Sequence, residues 1–363
     1  MTQQIRPYTI DVPQRELDDL RDRLGRVRWT EELPDAGWDY GVPVDHLREL
    51  VTYWRDEYDW RAWEKRLNAQ PQFVTEIDGQ NIHFVHVRSA RENALPLVLL
   101  HGWPGSIVEY LDLIEPLRAD HDLVVPSLPG FGFSGTTRDR GWTPVRMAAA
   151  FRVLMKRLGY QRYGVVATDW GSFIAPELGR AAPDEVVGIH VQQIWSHPSD
   201  DPAELASLTD DERAAVAKNQ WFSDNGGAYG TVQQQVPQTL AHGLTDSPTG
   251  LLAWNGQLWK DDVDVEFALT NITIYWLTGT IASAMRIYRE FHIAEPVAQE
   301  PTTVPLGLAM FTNDFNSIRI LADRDHANIV SWNVYEGDGH WAAHQSPDIY
   351  LHDIRTFFAG LVD

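Results

Sequence analysis

The sequence contains no cysteine. Disulfides, thiolate metal sites and a cysteine nucleophile are thereby excluded, so any nucleophile is an oxygen or a nitrogen of Lys or His. Positive charge is scarce: 30 Lys and Arg stand against 51 Asp and Glu, a formal charge of −21. Nucleic acid or an anionic membrane would be repelled over most of such a surface, and no Lys/Arg run is dense enough to form a local exception. Long apolar runs are missing too, none approaching the ~18–20 residues that span a bilayer. Residues 1–15 alternate polar and apolar and lack the apolar stretch of a signal peptide. A cytoplasmic protein that binds neither nucleic acid nor membrane is expected. There is no internal repeat and no low-complexity tract. Hydrophobic residues are plentiful at 44%, with 15 Trp, which suits one large buried core or two modest ones.

Eight β-branched runs mark out strands, at residues 73–78, 82–88, 95–100, 121–128, 163–168, 186–194, 302–311 and 327–336. The first two flank Gly79-Gln80-Asn81 and read as a hairpin. The other six are nearly continuous apolar runs, as strands covered on both faces require. Helical patterns alternate with them, so the expected class is α/β with an eight-stranded, mostly parallel sheet. Residues 195–301 are too many for a loop inside a compact domain and read as an inserted helical lid. Within it, 265–290 carries apolar residues at helical spacing around Tyr275, Leu277, Ile281 and Ile287. Residues 14–67 also look helical, with Asp45 placed to cap a run containing Leu47, Leu50, Val51 and Trp54. The expected division is an N-terminal region 1–72, a core in two parts, 73–194 and 302–363, and the lid between them.

The fifth run ends in Val165-Val166-Ala167-Thr168-Asp169-Trp170-Gly171-Ser172. Small residues at 167, 171 and 172 are what a tight strand-to-helix turn needs, and such an elbow presents Asp169. A carboxylate attacking an ester or amide carbonyl yields only a labile anhydride, whereas attack on saturated carbon yields an ester. A leaving group on sp³ carbon is implied, an epoxide or a carbon–halogen bond. Asp after a strand also commonly caps the next helix, which is the plainer reading of this residue alone. The third run ends in His101-Gly102-Trp103-Pro104-Gly105-Ser106, a Gly-Pro turn that can aim the Trp103 N–H at the same pocket as the Trp170 N–H and form an oxyanion hole. Asp314 follows the seventh run and His340 lies in a Gly-rich loop after the eighth. The order Asp169, Asp314, His340 is nucleophile, acid, base, the chain order of the α/β-hydrolase triad.

Two other patterns are set aside. Gly130-Phe131-Gly132-Phe133-Ser134-Gly135 fits a dinucleotide fingerprint, but Trp142-Thr143-Pro144 intervenes before the next good helix, so no cofactor is expected there. His340 and His344 have zinc-compatible spacing without the intervening Glu of a metalloprotease. His344 reads as a helix-face residue, and no metal is expected.

Taken together, residues 167–172, 101–106 and Gly339-His340-Trp341-Ala342-Ala343 resemble the α/β-hydrolase-fold epoxide hydrolases of the microsomal type. The stretch from Tyr40-Gly41-Val42-Pro43 through Tyr53-Trp54-Arg55-Asp56-Glu57-Tyr58-Asp59-Trp60 is similar to that family's N-terminal region, which wraps the core, and Ile82 to Val87 also fits. The resemblance runs over nearly the whole chain. It implies two lid tyrosines that hydrogen-bond the epoxide oxygen and protonate it, and the matching positions are Tyr229 and Tyr288; Tyr275 is left to packing. The sequence departs from the family in small ways: Ala167 stands where Gly is usual, and Asp314 where some relatives have Glu. The microsomal members' apolar N-terminal anchor is not seen, which agrees with the expectation of a soluble form.

The expected activity is cofactor-independent hydrolysis of an epoxide to a vicinal diol. A dehalogenase with the same nucleophile, using the Trp170 indole as a halide donor, is the nearest rival. A non-catalytic small-molecule receptor on a hydrolase scaffold is the more distant one. The expected partners are the epoxide and water. An aromatic-rich lid points to an apolar, bulky substrate. Oligomeric state is left open, a homodimer included.

Overall fold

In the computed structural model, residues 4–199, 201–260, 263–294 and 300–361 are described. The sheet has nine strands, one more than expected: β1 Arg6–Tyr8, β2 Gln72–Ile77, β3 Gln80–Val87, β4 Leu97–Leu100, β5 Leu123–Pro126, β6 Tyr163–Ala167, β7 Val186–Val191, β8 Leu306–Phe311 and β9 Ile329–Tyr335. Their order is β1-β2-β3-β5-β4-β6-β7-β8-β9. β1 has only three residues, one of them Pro7, and is held by antiparallel pairing of Arg6 with Val74 and Tyr8 with Gln72. Pro is tolerable there because β1 is an edge. The expected hairpin forms between β2 and β3, and β3 pairs antiparallel with β5. Every pairing from β5 onward is parallel.

All residues of β4, β5, β6 and β8 are buried, which explains their unbroken apolar sequence. β9 departs from that expectation. Its sequence interleaves Ser331 and Asn333 among apolar residues, and Val330 and Val334 are exposed because β9 is the other edge. One face of the sheet's middle is shaped by three glycines. A Cβ on Gly164 would lie 2.3 Å from Phe358, one on Gly307 2.5 Å from Phe357, and one on Gly188 2.4 Å from Leu361. The C-terminal helix Pro347–Ala359 seats its aromatic rings in the room those absent side chains leave.

The N-terminal region answers where its aromatics go. Its helices are Gln14–Leu24, Val44–Asp56 and Trp60–Asn68, and their polar ring atoms reach the lid helix Val265–Thr278. Trp54 Nε1 donates to Thr273 Oγ1 at 2.9 Å, Trp63 Nε1 to Glu266 at 2.7 Å, and Tyr53 to the other oxygen of Glu266. Asp45 does not cap its helix. Pro43 occupies the cap position, the Val44 N–H donates to Glu32 at 2.8 Å, and Asp45 faces Arg48 at 3.6 Å.

The stretch 265–290 is two helices rather than one. Gly279 in the left-handed conformation (φ +63°) ends Val265–Thr278, and a second helix covers Ile281–Ile293. Among the described residues no helix is long and apolar enough to cross a membrane.

Trp54 is buried and hydrogen-bonded across the boundary between the N-terminal region and the lid. Trp54→Ala is expected to cost about 3–5 kcal/mol, the range for deleting a large buried aromatic. Urea unfolding followed by circular dichroism measures it, and an unchanged midpoint would contradict the packing described.

Candidate active site

Asp169 stands between β6 and the helix Trp170–Ala181 with φ +45° and ψ −119°. A residue with a Cβ pays about 1–3 kcal/mol for such a backbone, so the surroundings must enforce it. They do so by close approach. A Cβ on Gly171 would lie 2.2 Å from the Leu100 carbonyl oxygen, and one on Gly102 2.0 Å from Asp169 Oδ1. Ala167 is fully buried in the turn, and Ser172 Oγ donates to its carbonyl at 3.2 Å.

The Asp169 side chain makes no helix-capping bond. Its Oδ1 instead accepts from the Trp103 N–H at 2.7 Å, and the Trp170 N–H also bonds the carboxylate. The two donors expected for an oxyanion hole thus meet on one side chain. The loop carrying Trp103 is propped by the lid helix Val265–Thr278: Tyr275 donates to the Gly105 carbonyl at 2.8 Å, and Ser106 Oγ to Asn271 at 2.6 Å. Tyr275 is buried as expected, and its hydroxyl has this further positioning role.

His340 Nδ1 lies 2.7 Å from Asp314 Oδ1, and His340 Nε2 lies 3.8 Å from Asp169 Oδ2. The three residues expected from chain order are therefore brought together. Sequence reading missed Gln193. Its Oε1 accepts the Asp169 N–H at 2.9 Å while its Nε2 donates to Asp314 Oδ2 at 2.5 Å, so one amide spaces the two aspartates. Gln192 donates more weakly to the same oxygen, at 3.4 Å. Two buried Gln directly after the apolar strand β7 were the available signal. From the lid, Lys218 Nζ donates to the carbonyls of Thr312 and Asp314, and Asn219 to that of Asn316.

Burial raises the Asp169 carboxyl above its usual range, against the lowering by His340 and by the two N–H groups. For Asp314, burial pulls upward but loses to the charge and hydrogen bond of His340 and to Gln193, leaving it low. His340 is drawn down by burial, the largest single influence, but the charge and hydrogen bond of Asp314 with the charges of Asp169 and Glu109 together push it up to about 9.

Both expected tyrosines cover this site. The Tyr229 ring stacks on Trp103 at 5.4 Å and 16°, and Tyr288 meets Trp170 edge-on at 4.8 Å. The two tyrosine rings meet edge-on at 6.1 Å. Burial, with the nearby Asp169 charge, raises both phenols. Both phenols stay protonated.

The glycines of residues 130–135 serve packing: a Cβ on Gly130 would lie 2.7 Å from Ser283 Oγ of the lid, and one on Gly132 3.3 Å from Ile274. His344 stacks on Phe267 at 4.0 Å. Among the described residues no group of three or more His, Asp or Glu side chains is arranged to hold a metal ion.

Comparison with known proteins agrees with this geometry. The family described as "Epoxide hydrolase N terminus" matches residues 5–110, and "alpha/beta hydrolase fold" matches 96–269. A putative epoxide hydrolase of Stigmatella aurantiaca is 38% identical over 98% of this chain and 85% of its own, and epoxide hydrolase 1 of Sus scrofa is 30% identical over 99% and 89%. Among solved structures, an enantioselective mutant of the Aspergillus niger epoxide hydrolase superposes with a TM-score of 0.90 at 32% identity, covering 98% of this chain and 96% of that one. The juvenile hormone epoxide hydrolase of Bombyx mori gives 0.89 at 25% identity, covering 99% and 95%. With an Asp at the elbow, a His–Asp pair behind it and relatives matched end to end, this chain belongs to the epoxide hydrolases of the α/β-hydrolase fold.

Proposed function

We propose that the protein opens an apolar epoxide to a vicinal diol through a covalent ester on Asp169. The observation that carries this reading is the division of the Asp169 carboxylate. One oxygen is held by the Trp103 N–H, and the other faces His340 Nε2, with the Tyr229 and Tyr288 rings packed on Trp103 and Trp170. The held oxygen becomes the ester carbonyl, and the free one is the nucleophile.

In the first step Asp169 Oδ2 bonds to an epoxide carbon and the ring C–O bond breaks. The leaving oxygen takes a proton from Tyr229 or Tyr288, a favourable transfer because an alkoxide is far more basic than a phenolate. In the second step water adds to the Asp169 carbonyl carbon as His340 takes its proton, and the N–H groups of Trp103 and Trp170 hold the oxyanion. Collapse breaks the bond between the Asp169 carboxyl carbon and the oxygen that joined it to the substrate, that oxygen leaves with the diol and takes the proton from His340, and re-ionisation of Asp169 restores the phenol. Asp314 orients His340 and offsets its charge. No cofactor takes part in this scheme. Residues 195–301 act as the lid over a core formed by 73–194 and 302–363, with 1–72 as the wrapping region. The many aromatic rings around the site, Trp103, Trp170, Phe173 and Phe291 among them, favour an apolar substrate.

The charge arithmetic predicts a switch. In the free enzyme His340, at about 9, is an imidazolium between two carboxylates at neutral pH. Alkylation removes the Asp169 charge, and losing an anionic neighbour lowers the pKa of a cation. His340 then becomes the neutral base that hydrolysis needs.

His340→Gln is expected to trap the ester, and intact-mass measurement should show protein plus one substrate; unmodified protein alone would reject the covalent route. Replacing Tyr229 and Tyr288 together by Phe should slow single-turnover alkylation by about 10²-fold or more, read by rapid-quench kinetics. Ester hydrolysis in the parent enzyme should rise with pH through an apparent pKa below that of His340 in the free protein, the latter measured by NMR titration. Equal values would sink the proposed switch.

A further inference from the structure

Glu109 is a buried acid that neither the triad nor the lid uses. It lies in the single turn Ile107–Tyr110 just after the loop that carries Trp103. It is 2% exposed, and among the described residues its Oε1 has no hydrogen-bond partner. A buried carboxyl oxygen left unpaired costs roughly 1–3 kcal/mol, so its place calls for an explanation.

Its surroundings are those of the reaction. The Thr168 side chain, one residue before Asp169, bonds the neighbouring Tyr110 hydroxyl at 3.3 Å, and the charges of both Asp169 and His340 act on Glu109. Above Gly105, at the point a Cβ would occupy, Glu109 Oε2 lies at 3.5 Å, the Gly102 carbonyl oxygen at 3.4 Å and Trp341 Nε1 at 3.7 Å. A carboxyl, a carbonyl and an indole N–H thus border the same small space inside the oxyanion loop. The Trp341 ring is also packed edge-on against His340 at 4.6 Å. Burial, helped by Asp169 and opposed by Thr168 and His340, raises Glu109 to about 8, so it is a neutral acid at pH 7. Tyr110 and Tyr350 are the other titratable groups that feel it.

The second half-reaction needs a water held with one hydrogen toward His340 Nε2 and an acceptor for the other. We propose that Glu109 is that acceptor: its carboxyl takes the second hydrogen of the attacking water and fixes the oxygen over the Asp169 carbonyl carbon. Water oxygen bonds to that carbon, its first proton passes to His340, and Glu109 keeps its own proton throughout. The assignment deepens the covalent scheme above and rests on it. It makes Glu109 specific to ester hydrolysis, since alkylation uses no water.

The test separates the half-reactions with an aryl epoxide in rapid-quench experiments. Glu109→Leu should alkylate within about two-fold of the parent and hydrolyse its ester about ten-fold more slowly or worse, so that alkyl-enzyme accumulates by intact mass in the steady state. Glu109→Gln, which keeps an acceptor oxygen, should recover most of that loss. Glu109→Met carries the same expectation as Leu should the latter fail to fold. Hydrolysis as fast as the parent's in the apolar variants, equal slowing of both steps, or Gln no better than Leu would each overturn the role. Absence of any adduct in His340→Gln would instead overturn the covalent scheme itself, so the two failures are distinguishable.

Discussion

The structure is organised around keeping one carboxylate ionised in a place where water is scarce. Burial drives the Asp169 carboxyl toward its neutral, unreactive form, and the opposing contributions come from His340 and the N–H groups of Trp103 and Trp170. These act only if their distances hold. A closed circuit of contacts sets them: Asp169 N–H to Gln193, Gln193 to Asp314, Asp314 to His340, and His340 back to Asp169. Three strand ends, those of β6, β7 and β8, and the loop after β9 supply the members, so the parallel order of the sheet is a precondition of the chemistry. This is the general rule for open α/β sheets, where sites form beyond the carboxyl ends of the strands.

The loop beside Asp169 and the N-terminal region share a single support. One side of the helix Val265–Thr278 steadies the oxyanion loop through Tyr275 and Asn271, and another receives Tyr53, Trp54 and Trp63 of the N-terminal helices. A region that looks peripheral in sequence therefore reaches the loop beside Asp169 through two packed layers. Helix 210–225 adds a second tie, from Lys218 and Asn219 to the loop bearing Asp314.

What could be read from sequence alone divides along a physical line. Asp169 and His340 were legible because their neighbours are constrained locally: small residues must flank a sharp turn, and glycines must free a loop. The parallel strands were legible because burial on both faces leaves an unbroken apolar signature. Gln193 was not, since a polar side chain that works by bridging distant segments leaves no periodicity behind. β1 escaped because three residues with a proline carry no pattern, and its pairing with β2 is entirely long-range. The break at Gly279 was hidden by apolar spacing that continues in phase across it. Asp45 misled because its residue type suits a cap, while Pro43 and Glu32 already do that work. The tyrosines came from family likeness and not from spacing, as nothing in a helical pattern tells a proton donor from a packed ring.

The left-handed Gly279 divides responsibilities between two adjoining helices. The preceding one bears the contacts that hold the Trp103 loop in place; the following one sets Tyr288 edge-on against Trp170. Substrate scope can therefore diversify along residues 281–293 without touching the scaffold of the nucleophile, and laboratory evolution aimed at new epoxides has a natural first target there.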